Sequence, residues 1–205
     1  MANIIHQHNL ATGSDLSRFR LTPNQNVIID NIDDAIVDSI KSVLDQFHLS
    51  IDSIAPTAAR LNSMACVALP TCGLALSESE RFLPHLMDLI DQILIEAGLR
   101  NDPINVRMSG CPNGCSRPIL AEIAFVGRSP GVYNLYLGAS HNGDRLSSLY
   151  KDGLTPDQII SELSPIIHRY SKERNLQESF GDFCLRAAYV THTNSPKDFH
   201  LIDLF

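Results

Sequence analysis

Apolar positions along the chain recur at two periods, dividing it into strand-like and helix-like stretches. Residues 19–31 (FRLTPNQNVIIDN) end in a β-branched run between turn formers, which predicts a strand. Ile32, Ile36, Ile40, Val43, Leu44 and Phe47 follow at helical spacing. Asp33, Asp34, Asp38, Lys41 and Asp45 fall between them, so an amphipathic helix over about 33–47 with a solvated acidic face is expected. Residues 50–63 lose this periodicity among Ser, Asp, Pro, Thr and Asn, and the boundary placed there separates domains 1–60 and 61–205. Leu83, Leu86, Met87, Ile90, Ile93, Leu94 and Ala97 trace one apolar face up to Gly98, the longest predicted helix. Ser77 and Glu80 have capping-box spacing, in which case Pro84 kinks the helix; otherwise the regular helix starts near Pro84.

Residues 104–108 read as a strand, and 120–126 and 132–137 as two more around Gly127-Arg128-Ser129-Pro130-Gly131, a hairpin. Thr155, Pro156 and Gln158 supply a cap, a first-turn proline and a capping-box partner for a helix to about 173, with Pro165 a second kink position. Helices and strands in this mixed order predict an α+β fold, a mixed sheet with packed helices, rather than a regular doubly wound sheet.

The 205 residues are 44% hydrophobic and 19% charged, the composition of a folded domain. A net charge of −7 argues against nucleic acid or an anionic membrane as the main partner. No apolar run reaches the ~18 residues of a membrane span. The N-terminus MANIIHQH lacks the basic and apolar regions of a signal peptide, so a reducing cytoplasm is expected. No P-loop or G-x-G-x-x-G occurs, so NADPH should not bind here.

Four of the five cysteines form two pairs, Cys66-x5-Cys72 and Cys111-x3-Cys115. Three readings stand open. Structural zinc suits the second spacing, while the first is long for it. Buried, unligated cysteines need no metal at all. An iron–sulfur cluster tolerates irregular spacing, because each thiolate takes its own iron corner. If a helix begins about Cys111, Pro112 takes its first turn and Cys111 and Cys115 share a face. Its free N–H groups would then favour thiolates and an anionic cofactor, and Gly110 and Gly114 would allow close approach. Cys184 in GDFCLRA has no partner cysteine and is expected in the core or on a helix face. His6 and His8 fit a disordered tail better than a metal site.

The segments NSMACVALPTCGLALSESERFLP (62–84) and VRMSGCPNGCSRPILAEIAFVG (106–127) resemble the two cluster-ligand segments of the sulfite and nitrite reductase haemoproteins. PGVYNLYLGA (130–139) and ESFGDFCLRA (178–187) resemble the NADPH-dependent assimilatory sulfite reductase branch in particular, and RLTPNQNVII (20–29) the opening of the family's second half-repeat. The likeness covers nearly the whole chain. It implies a sirohaem and [4Fe-4S] domain over 61–205, preceded by the end of a ferredoxin-like half-repeat over 1–60.

What the resemblance implies for the site is specific. Cys66, Cys72, Cys111 and Cys115 would ligate a [4Fe-4S] cluster, and Cys115 would also share its sulfur with the iron of a sirohaem, so that electrons reach the haem through one thiolate. Asn113 and Gln25 fall where the family contacts sirohaem. The reaction would be the six-electron reduction of sulfite to sulfide, with a flavoprotein reductase subunit or a ferredoxin as electron donor. Nitrite reduction by the same machinery is the near alternative, and a zinc-stabilised or purely structural binding domain the distant one. Family members are much longer, and this chain corresponds to about their C-terminal third; the absent N-terminal portion carries most of the basic residues that bind sulfite and sirohaem carboxylates. Arg60, Arg107, Arg117 and Arg128 lie near the motifs as candidates for that task, with a solvated surface role as the alternative for each.

Overall fold

The computed structural model describes residues 2–12, 18–23, 26–49 and 55–192. The chain divides into two compact units, Met1–Pro56 and Thr57–Phe205.

In the first unit, helix α1 spans Ala2–Thr12, strands β1 (Arg18–Leu21) and β2 (Val27–Asp30) pair antiparallel, and helix α2 spans Asp34–Gln46. Asp33 caps α2 by accepting from the Ala35 N–H at 2.9 Å, satisfying one of the free donors of the first turn. Arg20 Nε on β1 donates diagonally across the pair to the Asp30 carboxylate on β2 at 2.5 Å; Arg20 itself stands opposite Ile28. The segment expected as a tail is helical instead: His6 is exposed, while His8 is partly buried with its ring 3.5 Å from Asp33. Ile40 is buried, whereas Phe19, Leu21, Val27, Ile28, Phe47 and Leu49 are exposed.

The second unit holds the α+β architecture expected from the pattern. A one-turn helix α3 (Ala58–Leu61) leads into β3 (Ser63–Ala65), and α4 (Leu83–Glu96) crosses back to β4 (Val106–Ser109). A 3-10 turn at Pro118–Leu120 precedes β5 (Ile123–Ser129), β6 (Val132–Leu137) and β7 (Ser148–Leu154); helices α5 (Pro156–Glu173) and α6 (Phe180–Arg186) close the described fold. The strands form one sheet in sequence order, with β3, β4 and β5 parallel and β5, β6 and β7 antiparallel. Joining adjacent parallel strands takes about a dozen residues or more. Residues 110–122 make that connection between β4 and β5, and they contain the GCPNGC motif.

Strand β5 is buried along Ile123–Gly127, and its alternation feeds two clusters. Ile123 and Phe125 join the main core with Leu86, Ile90, Leu163 and Tyr170, while Ala124 and Val126 join Ala121 and Tyr136 in a smaller one. Helix α5 opens with the expected capping box, the Thr155 N–H donating to Gln158 at 2.9 Å, and runs on through Pro165. Helix α4 starts at Leu83 with Pro84 in its first turn and Phe82 at its cap. Ser77 is therefore no helix cap; it is fully buried and accepts from the Gly131 N–H of the β5–β6 hairpin at 3.2 Å.

Candidate cysteine site

The parallel pairing of β3 and β4 sets Ala65 opposite Met108, so both cysteine segments leave the carboxyl ends of neighbouring strands. Open parallel sheets collect ligands at that edge. Cys66 prolongs the ladder by one bond, its N–H reaching the Met108 carbonyl at 3.1 Å. From the other side the Gly110 N–H donates to the Cys66 sulfur at 3.2 Å.

The first loop curls back on itself and is laced to the second. The Cys72 N–H meets the Ala68 carbonyl at 2.7 Å, with Ala68 buried at a left-handed φ of 47°. The Leu76 and Ser77 N–H groups both donate to the Gly110 carbonyl, at 2.9 and 3.0 Å. A Cβ on Gly110 would lie 2.5 Å from the Ala68 Cβ and 2.6 Å from the Ser77 carbonyl oxygen. Only a glycine admits this contact between the loops.

The second segment departs from the helix expected at Cys111. Two consecutive turns stand there, with the Gly114 N–H bonding to the Cys111 carbonyl at 3.3 Å and the Arg117 N–H to the Gly114 carbonyl at 2.7 Å. Gly114 and Arg117 both have positive φ, 66° and 53°. Left-handed residues are incompatible with a continuing right-handed helix. Pro112 thus sits in a turn, Cys111 is buried, Cys115 is exposed, and Cys66 and Cys72 are half-buried. All four are free thiols, as is Cys184, which is buried in α6 as expected and whose thiol burial pushes well above its ordinary range.

A network of buried hydroxyls, not signalled by any sequence motif, backs the site. The Met108 carbonyl accepts the Ser79 hydroxyl at 2.6 Å and the Ser116 hydroxyl at 2.7 Å, besides the Cys66 N–H. Ser109 and Ser116 hydroxyls are 2.6 Å apart, and the Ser116 N–H returns to the Ser109 hydroxyl at 3.3 Å.

Asn113 is exposed at the loop tip, and Gln25 lies outside the described residues. Arg60 turns inward to Asp91 and Asp88, at 2.6 Å each, and Arg128 pairs with Asp152 at 2.5 Å. Arg107 donates to the Arg117 carbonyl at 3.2 Å. Burial, and then the nearby Arg117 guanidinium, lower its pKa. An open cavity of about 240 Å³ separates Pro112, Gly114 and Pro118 from Val126, Arg128 and Tyr136 across the second face of the sheet.

Among the described residues no three His, Cys, Asp or Glu side chains converge to hold one metal ion. Four free thiols on two loops in contact through Gly110, with an N–H aimed at one sulfur, are donors of the type an iron–sulfur cluster takes.

The chain matches no family model. It is 53% identical over 182 residues to the sulfite reductase [NADPH] hemoprotein beta-component of Oceanobacillus iheyensis, a match covering 89% of this chain and 31% of that protein. The protein of the same name from Staphylococcus epidermidis is 49% identical over 182 residues, covering 89% and 32%. Among solved structures, the NirA protein of Mycobacterium tuberculosis superposes with a TM-score of 0.70 at 26% identity, over 88% of this chain and 35% of that one. The α+β fold is thus the one that NirA carries in its matching portion. The chain belongs to the sulfite reductase haemoprotein family, and spans about a third of the length of the curated relatives it matches.

Proposed function

We propose that the second unit is the cluster-binding part of an assimilatory sulfite reductase haemoprotein. Cys66, Cys72, Cys111 and Cys115 would hold a [4Fe-4S] cluster, with the Cys115 sulfur shared with the iron of a sirohaem. When bound, these groups would supply the electron-transfer chemistry for the six-electron, proton-coupled reduction of sulfite to sulfide. The observation that carries the reading is the joining of the two cysteine segments at Gly110, whose N–H meets the Cys66 sulfur and whose carbonyl ties the first loop.

The chain's own residues divide the work. The Gly110 N–H donates to the Cys66 sulfur, and hydrogen bonds to cluster sulfurs set reduction potential. Cys115, exposed at the loop's end, is the thiol accessible to a second cofactor. The cavity beside Pro112 and Tyr136 offers apolar walls for a flat macrocycle, with Arg128 among the residues that line it; Arg60, held by two aspartates, takes no part. Sulfite itself would be bound largely by basic residues elsewhere in a family-length chain. Electrons would come from a flavoprotein subunit, the partner implied by the beta-component name of the relatives. Among the described residues no helix is long and apolar enough to cross a membrane.

Sulfite-dependent oxidation of reduced methyl viologen tests the division of labour. The 205-residue chain loaded with both cofactors is expected to show no robust turnover, and turnover comparable to a family-length haemoprotein would overturn the proposal that the remainder completes the site.

A further inference from the structure

Three segments of the site meet at one acceptor. The Met108 carbonyl receives the Cys66 N–H, the Ser79 hydroxyl and the Ser116 hydroxyl, at 3.1, 2.6 and 2.7 Å. A serine hydroxyl has one proton. Since the Ser116 proton is directed to Met108, the 2.6 Å contact between Ser109 and Ser116 requires Ser109 to donate to Ser116. The order is therefore Ser109 to Ser116 to Met108, closed by the Ser116 N–H returning to the Ser109 oxygen. Ser79, Ser109 and Ser116 are all at most 2% exposed, so each bond lies where water cannot replace it.

The placement of this network matters because of what adjoins it. Ser116 directly follows Cys115, and it is the point at which an exposed loop re-enters the core. Cys66 adjoins the same carbonyl through its own N–H. One oxygen thus fixes the backbone beside the first and the last of the four thiols. We infer that Ser116, through Met108, is a positioning residue for Cys115, and that the Ser109–Ser116–Met108 chain sets the orientation in which the Cys115 thiolate is offered to its cofactor. This rests on the reading of the four cysteines as cluster ligands. Metal sites lose about 10- to 100-fold in affinity when such supporting hydrogen bonds are removed.

The test uses the 205-residue chain with Ser116→Ala, Ser116→Thr and Ser79→Ala substitutions, each checked for its fold by circular dichroism and thermal unfolding. Anaerobic reconstitution with ferrous iron and sulfide is followed by the spectrum of the reduced cluster, its midpoint potential, and the rate of iron loss to a ferrous chelator. In parallel, alkylation of each cysteine in the cofactor-free chain is timed by mass spectrometry. Ser116→Ala is expected to bind iron with a changed reduced-state spectrum and potential and about tenfold faster iron loss, and to change the Cys115 alkylation rate while leaving that of Cys72 alone. Ser116→Thr should restore both readouts, and Ser79→Ala should leave Cys115 alkylation unchanged. Wild-type potential, iron loss and Cys115 alkylation in Ser116→Ala would overturn the inference. Should the unmodified chain take up no cluster while Ser116→Ala still alters Cys115 alkylation, the cluster reading fails and the positioning role stands. If Ser116→Ala does not fold, Ser109→Ala, which removes the donor to Ser116, carries the same expectations.

Discussion

The Gly110 N–H donates to the Cys66 sulfur at 3.2 Å while the Gly110 carbonyl accepts from Leu76 and Ser77. A single residue without a side chain thereby joins the two cysteine segments, and its replacement should be the most damaging small change in the site. Gly110→Ala places a Cβ 2.5 Å from the Ala68 Cβ, and overpacking of a rigid site costs about 1–3 kcal/mol. A urea unfolding midpoint well below wild type, with loss of iron uptake, is expected. Gly127→Ala, whose Cβ would overlap the Gly110 carbonyl, should behave alike, and Gly131→Ala, in open space but at a φ of 70°, more mildly.

Glu122 anchors the far end of the same loop connection. It is 1% exposed; its carboxylate accepts the Gly181 and Asn105 N–H groups, both at 3.0 Å, and lies 3.0 Å from His141 Nδ1. Glu122→Ala would strand two backbone donors at about 1–3 kcal/mol each. Urea denaturation should show a loss of several kcal/mol, and Glu122→Gln, which keeps one acceptor, a smaller one.

Alkaline stability follows from two tyrosines. Burial, then the hydrogen bond and charge of Glu162, push Tyr150 up to about 12; burial pushes Tyr170 up to about 12 despite Arg174. The unfolded chain releases these protons near the ordinary value of about 10, so the folded state binds more protons between the two values. Stability is therefore fully present below about pH 10 and declines towards about pH 12. Tyr150→Phe should flatten that decline in a pH series of thermal midpoints.

Acid stability has the opposite sign. Glu178 is held below the usual carboxylate range by the Arg186 guanidinium, hydrogen-bonded to it at 2.6 Å. Its contribution is present above the unfolded value and is lost as pH falls through the folded one. Arg186→Met should reduce the loss of stability on acidification.

Thiol chemistry separates the fifth cysteine from the other four. Cys184 is 0% exposed and its thiol is pushed upward by burial, whereas Cys115 is exposed. Iodoacetamide requires the thiolate. In the folded, cofactor-free chain Cys115 should alkylate readily and Cys184 only after denaturation, as read by mass spectrometry.

Much of the scaffold was legible because it is periodic. The faces of α2, α4 and α5, the β5–β6 hairpin and the capping box at Thr155 follow from apolar spacing and turn chemistry. Strand β3 is three residues long and β7 (SLYKDGL) is polar with register shifts, so neither carries a periodic signal. The helix expected at Cys111 failed for a physical reason: proline and paired cysteines suit a first turn, but the left-handed backbone at Gly114 and Arg117 stops one from forming. Ser77 has the residue type and spacing of a cap, yet its partner is Gly131, far along the chain. The Ser79 and Ser116 hydroxyls were invisible for the same reason, since their common acceptor is the Met108 carbonyl and not a side chain.

The central claim, that the four paired cysteines hold one iron–sulfur cluster, is tested most directly by metal and acid-labile sulfide analysis of the anaerobically reconstituted chain, with its absorption spectrum. About four irons and four sulfides per chain with broad cluster absorption are expected, lost on Cys66→Ser or Cys111→Ser and retained in Cys184→Ser. Stoichiometric zinc in a colourless protein, or iron uptake unaffected by those two substitutions, would contradict it.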